Sequence, residues 1–326
     1  MLLELFISFS YIETQSPTDF TEEYGRCRRQ NMNYVYFNEG FSMGRFNEGR
    51  YLNSYYPIDK PKGVIRIAAL GDSYVEGFQV FERNHFLKIA EEKLNNKLND
   101  SVQILNFGRS GFDFGDMYAY YNIIVKQYKC DYVLFFISNT DLNIRQTDKL
   151  IPKVVIDSSG FIIISNKLMP LGYKNIFIRQ LKYSHRSSIY NMLNKGKKLI
   201  QGGELFPKLF DKFYFDNSLN GEIKPLGLSE IIVSEKAYQI LDKLKSENSK
   251  VIIINRGKEK LDNMFVKEMG DSVSYFDLIQ ESNLYNSEFN PHYWKITKKI
   301  GHWNLKAHRI VGEEMYNYLL KRINLK

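Results

Sequence analysis

The chain has 326 residues, 44% of them hydrophobic and 25% charged, with 8 Pro and 21 Gly; this is a globular composition with no low-complexity or collagen-like character. Two cysteines, Cys27 and Cys130, exclude a disulfide framework and a four-thiolate zinc site, and five dispersed His have no paired metal-ligand spacing. The net charge is +8, but Lys and Arg are scattered, with only short runs at 195–198 and 298–299, so the charge reads as solubility and not as a nucleic-acid footprint.

The first twelve residues are mostly apolar, and Glu4 interrupts them. They fall short of the about 20 residues that a spanning helix needs, and they lack the basic n-region and small-residue cleavage site of a signal peptide. Two readings stay open: the tail of a longer anchor, or a short amphipathic helix packed on the domain. Membrane association belongs to the first reading only; otherwise the chain reads as soluble, and nothing fixes its compartment. Residues 13–60 are polar, aromatic and rich in Asn, Gly and Tyr, with little periodicity. The whole of 1–60 therefore reads as an irregular N-terminal extension packed on the main domain, which runs from 61 to 326.

From residue 61 the pattern becomes regular. Val64 to Leu70 is a mostly apolar run ending in the turn Gly71-Asp72-Ser73, as expected of a buried strand. Asn84 is placed to cap a helix with Leu87, Ala90, Leu94 and Leu98 on one stripe. Val102 to Leu105 is a second strand, and Asp113 with Asp116 forms a capping-box variant for the next helix. Tyr132 to Ile137 is a third strand, ending in Ser138-Asn139-Thr140-Asp141.

Between about 146 and 230 the rhythm breaks. A hairpin at 154–164 and irregular pieces around Gly202-Gly203 suggest an insertion after the third strand, large enough to wall a substrate cleft. A helix over 234–245, strands at 251–254 and 273–276, and a final helix capped by Asn304 complete the chain. Strands alternating with helices imply right-handed crossovers and a parallel sheet. The expected fold is α/β: a flavodoxin-like three-layer α/β/α sandwich with a parallel five-stranded sheet.

Ligands bind at the carboxyl ends of parallel strands. Here those ends carry Gly71-Asp72-Ser73, Asn106 to Gly111, and Ser138 to Asp141, and a late polar block, Gly301-His302-Trp303-Asn304, precedes the last helix. Together they offer a hydroxyl nucleophile, a histidine base and oxyanion donors, the parts that acyl transfer needs. Of the other histidines, His85, His185, His292 and His308 read as structural, Trp303 reads as a packing anchor, and Asp72 as a loop tie. The glycines do not form a dinucleotide fingerprint after one strand.

These blocks resemble those of the SGNH (GDSL-type) hydrolases. Gly71-Asp72-Ser73-Tyr74-Val75-Glu76-Gly77 is similar to the first family block, Asn106-Phe107-Gly108-Arg109-Ser110-Gly111 to the second, and Gly301-His302-Trp303-Asn304 to the last, in the branch that reads Asp-Gly-His-Trp-Asn. The resemblance covers about 61–145 and 231–326. It implies Ser73 as nucleophile, His302 as base, and an oxyanion hole of the Ser73 N–H, the Gly111 N–H and the Asn139 amide.

Two features depart from the family pattern. Asn139 is separated from Asp141 by Thr140, whereas the family's oxyanion Asn directly precedes Asp. The acid expected just before the histidine is missing, because Lys298, Lys299, Ile300 and Gly301 stand there. A Ser–His dyad, or an acid arriving from elsewhere, fits this gap, and Asp277 after the fifth strand is the named substitute. The resemblance implies a serine esterase with no cofactor and no metal, acting on O-acyl groups, O-acetyl above all, of a small molecule or a glycan. An O-acyltransferase using the same acyl-enzyme, or an inactive domain that binds a glycan or protein partner, are the alternatives.

Overall fold

The computed structural model describes residues 2–10, 15–21, 24–99, 101–147, 150–157, 162–165, 186–201, 232–285 and 289–324. The turn of the expected hairpin, His185, Gly202-Gly203 and most of the expected insertion lie outside these residues.

The N-terminal extension is more regular than its composition suggests. Helix α1 (Leu2–Phe9) is followed by two antiparallel hairpins, β1 (Thr18–Thr21) with β2 (Gly25–Arg28), and β3 (Asn33–Tyr36) with β4 (Ser42–Arg45). Their strands have only four residues each, too short for a period-2 pattern to stand out among Asn and Gly. Phe46, Tyr34 and Leu52 are buried in a small satellite core of this region, against which Tyr36 and Phe78 pack.

The main domain follows the strand–helix rhythm. In chain order it contains β5 (Ile65–Leu70), α2 (Ser73–Glu76), α3 (Phe86–Leu98), β6 (Val102–Asn106), α4 (Phe114–Ile123), β7 (Tyr132–Ile137) and α5 (Asn139–Leu142). The hairpin β8 (Lys153–Ile156) with β9 (Ile162–Ser165), and then α6 (Ser188–Gln201), come from the interrupted stretch. The chain returns with α7 (Glu235–Lys245), β10 (Lys250–Asn255), α8 (Asn263–Met269), β11 (Ser274–Asp277), α9 (Leu278–Glu281), a short hairpin of β12 (Tyr293–Trp294) and β13 (Lys299–Ile300), and α10 (Leu305–Asn324).

Five of these strands form one parallel sheet in the order β11-β10-β7-β5-β6. Side chains alternate across it, so each strand feeds two cores. Ala68, Leu70, Val133, Phe135 and Ile253 face one core with α4, α7 and α8, while Ile67, Ala69, Leu134, Phe136 and Ile254 face the other with α3 and α10. The result is a three-layer α/β/α sandwich. Truncating one of these fully buried leucines to Ala costs about 2–5 kcal/mol, so the sheet is a rigid platform for its loops. The strand order reverses between β5 and β7, which opens a crevice at their carboxyl ends. Ser73 begins at that crevice.

The expected caps are present with one shift. Asp113 and Asp116 form the capping box of α4, and Asn304 accepts from the Ala307 N–H at the start of α10. Helix α3 is capped by His85 and not by Asn84, which lies in a 3-10 turn just before it.

Candidate active site

Ser73 is the first residue of α2, directly after the β5 turn. Asp72 caps this short helix: one carboxylate oxygen accepts from the Tyr74 N–H at 3.0 Å. The other oxygen accepts from Arg256 at 2.7 Å, and the same guanidinium nitrogen donates to Asp141 at 2.8 Å. Arg256 follows β10, and Asp141 lies in α5 after β7. One buried cation therefore clamps the loops at the ends of β5, β7 and β10, and it lies 5.0 Å over the Tyr74 ring. Asp72 thus has the loop-tying part expected of it.

His302 Nε2 lies 2.8 Å from Ser73 Oγ. The imidazole comes from the loop between β13 and α10, which is held in several ways. His292 bonds the Gly301 carbonyl through Nδ1 at 2.8 Å and the Tyr285 hydroxyl through Nε2, also at 2.8 Å. Trp294 Nε1 donates to the His302 carbonyl, and buried Trp303 packs against Tyr74 and Phe86. Trp303 is thus the packing anchor expected of it.

The carboxylate on the far side of the imidazole is Glu39, and this corrects the expectation of Asp277. Both Glu39 oxygens lie 2.9 Å from His302 Nδ1, and Oε2 also accepts the His302 N–H at 2.8 Å. An acceptor on Nδ1 fixes the proton there and leaves Nε2 free to accept from Ser73. Partial burial pulls the Glu39 carboxyl upward, but the hydrogen bonds from the His302 ring and amide outweigh it and hold the group below its ordinary range.

Glu39 sits in the turn between β3 and β4, in the N-terminal extension. Thr297 donates its hydroxyl to the Glu39 carbonyl, and Lys299 Nζ donates to the Asn38 carbonyl at 2.9 Å. The lysine pair that occupies the place of the family's acid therefore includes a residue that helps hold the substitute acid in position. The approach also requires Gly301, because a Cβ there would fall 2.3 Å from the Glu39 carboxyl carbon. Asp277 is occupied elsewhere. It caps α9 through the Gln280 N–H and accepts from Asn255 and from the Tyr275 hydroxyl.

The 106–111 loop closes the other side of Ser73. Glu76, in α2, is 2% exposed and accepts from Arg28 Nε and Nη2, each at 2.8 Å, from the Ser110 N–H at 2.8 Å and from the Ser110 hydroxyl. A buried carboxylate with this many donors is compensated and stays in place. Through it α2 grips the peptide just before Gly111. Gly111 has φ +84, a left-handed conformation that side chains rarely adopt, with open space where a Cβ would stand. Among the described residues no protein acceptor takes the N–H of Ser73 or of Gly111.

The structure brings together Ser73, His302 and Glu39, with the Gly111 loop beside them. It does not bring Asn139 to them as a donor. Asn139 Nδ2 donates to the Lys260 carbonyl at 2.8 Å and Oδ1 accepts from the Asp262 N–H at 2.9 Å, so the amide is engaged with the loop before α8. Its displacement by one place from Asp141 turns it onto a different neighbour. Sequence reasoning missed Glu39, Arg28 and Arg256. Glu39 was the sole carboxylate between Asn33 and Asn47, but it lies 263 residues from His302, and no local spacing links them.

No family model matches the chain, and no curated protein matches it. Similar solved structures exist. One is described as a lipolytic protein of the G-D-S-L family from Desulfitobacterium hafniense DCB-2, at 11% identity, with 77% of this chain and 98% of that chain covered and a TM-score of 0.37. A second is the psychrotrophic esterase EstA from Pseudoalteromonas sp., at 12% identity, with 79% and 98% covered and a TM-score of 0.37. A third is the acetyl xylan esterase AlAXEase, at 14% identity, with 78% and 100% covered and a TM-score of 0.36. The likeness is one of outline, at low identity, so any functional reading falls to the site's own residues.

Proposed function

We propose that the protein is a serine ester hydrolase of the SGNH (GDSL-type) kind, working through a Ser73–His302–Glu39 triad. The observation that carries this reading is the unbroken relay from Ser73 Oγ to His302 Nε2 at 2.8 Å and from His302 Nδ1 to Glu39 at 2.9 Å. His302 takes the Ser73 proton as Oγ attacks the ester carbonyl. The oxyanion forms against the N–H groups of Ser73 and Gly111, each donor being worth about 3–4 kcal/mol of barrier. His302 then returns the proton to the leaving alcohol. Water activated by the same imidazole releases the acyl group and regenerates Ser73.

Glu39 supplies the carboxylate that the loop before His302 lacks, which supports a hydrolase over an inactive binding domain. The proposed substrate class is O-acyl esters, with O-acetyl groups on a glycan as the specific form. The glycan part follows from the resemblance in the Gly-His-Trp-Asn block and from no sugar-reading residue at the site. Hydrolysis of a short-chain p-nitrophenyl ester tests the chemistry. Ser73→Ala and His302→Ala should each lower kcat by roughly 10⁴-fold or more with the fold intact. Wild-type protein without esterase activity, or activity retained by Ser73→Ala, would contradict the proposal.

A further inference from the structure

Helix α1 is apolar, and its single ionisable residue is turned to the protein. The sequence is LLELFISF, and the Glu4 carboxylate caps α6: it accepts the N–H groups of Ser188 and Ile189 and, at 2.8 Å, the Ser187 hydroxyl. Ile7 is buried, whereas Leu2, Leu3 and Phe6 are 80%, 57% and 62% exposed. The partner helix α6 repeats the pattern. Leu193 and Ile200 are each 63% exposed, and its sequence SIYNMLNKGKKLIQ carries three lysines and no carboxylate. Lys195 and Lys197 are themselves exposed.

Single exposed hydrophobic residues are ordinary on a soluble protein, but eight large ones among the described residues of two helices in contact are not. With lysine as the only charged residue type of α6, they have the composition of helices that lie in a membrane interface. We propose that α1 and α6 together form a docking surface for an anionic lipid membrane. Apolar side chains enter the acyl boundary, and the lysines meet the lipid phosphates. A second copy of this chain is the poorer occupant, because pairing two such faces would set lysines against lysines. Among the described residues no helix is long and apolar enough to cross a membrane. The dock also touches the segment that bears the site's acid, since Lys195 Nζ lies 5.6 Å over the Phe37 ring, two residues from Glu39.

Flotation of the full chain with vesicles tests this, using phosphatidylcholine alone and phosphatidylcholine mixed with phosphatidylglycerol. The wild type should float with the anionic vesicles at low salt and be released as salt rises. The double variant Leu3→Glu/Phe6→Glu and the single charge reversal Lys197→Glu should each weaken binding by roughly tenfold or more. Hydrolysis of a soluble ester and the melting temperature should stay unchanged in both, which separates loss of docking from loss of folding or of chemistry. If a glutamate variant misfolds, Phe6→Ser and the salt titration of the wild type carry the test. Absence of binding to anionic vesicles at low salt would overturn the proposal. So would binding indifferent to both variants, or a wild-type dimer in solution that Leu3→Glu/Phe6→Glu dissociates.

Discussion

At the scale of single residues, the site depends on a carboxylate that approaches His302 from a distant part of the chain. Glu39→Gln keeps the size and one acceptor but removes the charge that stabilises an imidazolium. It should lower kcat by about 10³–10⁴-fold with a small change in KM. Asp277→Asn should leave kcat within about threefold of wild type, because Asp277 caps α9 and does not meet the imidazole. Gly301→Ala touches no reacting group, yet its Cβ would displace the Glu39 carboxylate, so it should reproduce much of the Glu39→Gln loss. Kinetics of these three variants on one ester checks all three expectations. Ser73 and His302 were legible because each lies in a short block at a strand end or just before a helix. Glu39 was not legible, because only tertiary contact makes it the acid. A search confined to the loop before the histidine finds lysines, one of which secures the backbone next to Glu39.

At the scale of elements, two helices are held in place by buried polar side chains. In α2, Glu76 ties Arg28 of β2 to the peptide before Gly111. Glu76→Gln cannot accept from all these donors, and the Gly111 N–H should lose its aim. The expected result is a fall in kcat of about 10–100-fold at nearly constant KM, with weaker binding of a boronic acid that forms a tetrahedral Ser73 adduct. Equal loss in KM, with boronate affinity unchanged, would assign Glu76 a purely structural part.

In α3, two buried imidazoles receive the first amides. His85 Nδ1 accepts from the Leu87 N–H and His308 Nδ1 from the Phe86 N–H, while His85 Nε2 bonds the Val75 carbonyl. Burial pushes His85 down to about 4 and His308 well below its ordinary value. The unfolded chain therefore takes up protons before the folded one does. The stability contribution is complete above the ordinary histidine range, near pH 6.5, and is lost as pH falls toward 4. Denaturant unfolding should show a loss on the order of 3 kcal/mol over that interval, and His85→Gln should flatten the dependence. A flat wild-type profile between pH 6.5 and 4 would contradict it. The helix itself was legible from its apolar stripe; its cap was not, because a histidine serves only when burial keeps it neutral.

At the scale of the whole molecule, the five sheet strands and their parallel arrangement were legible because buried strands read as apolar runs alternating with helices, β11 being the shortest and least buried of them. All five strands begin and end within about one residue of their expected limits. The extension was not legible. Its four-residue strands bury little surface of their own and gain order by pairing and by contact with the domain. Yet they bring Glu39 to His302 and Arg28 to Glu76, which holds the peptide before Gly111, so the extension is part of the site and not a wrapping around it. The central claim is that Ser73 is activated by a histidine whose acid comes from that extension. Its most direct test is the rate at which a fluorophosphonate labels Ser73, followed by intact mass, in wild type, Ser73→Ala, Glu39→Gln and Asp277→Asn. The account predicts one adduct on the wild type, none on Ser73→Ala, labelling slowed by about 10³-fold or more in Glu39→Gln, and a near-normal rate in Asp277→Asn. An unlabelled wild type, or a normal rate in Glu39→Gln with a slow one in Asp277→Asn, would contradict it.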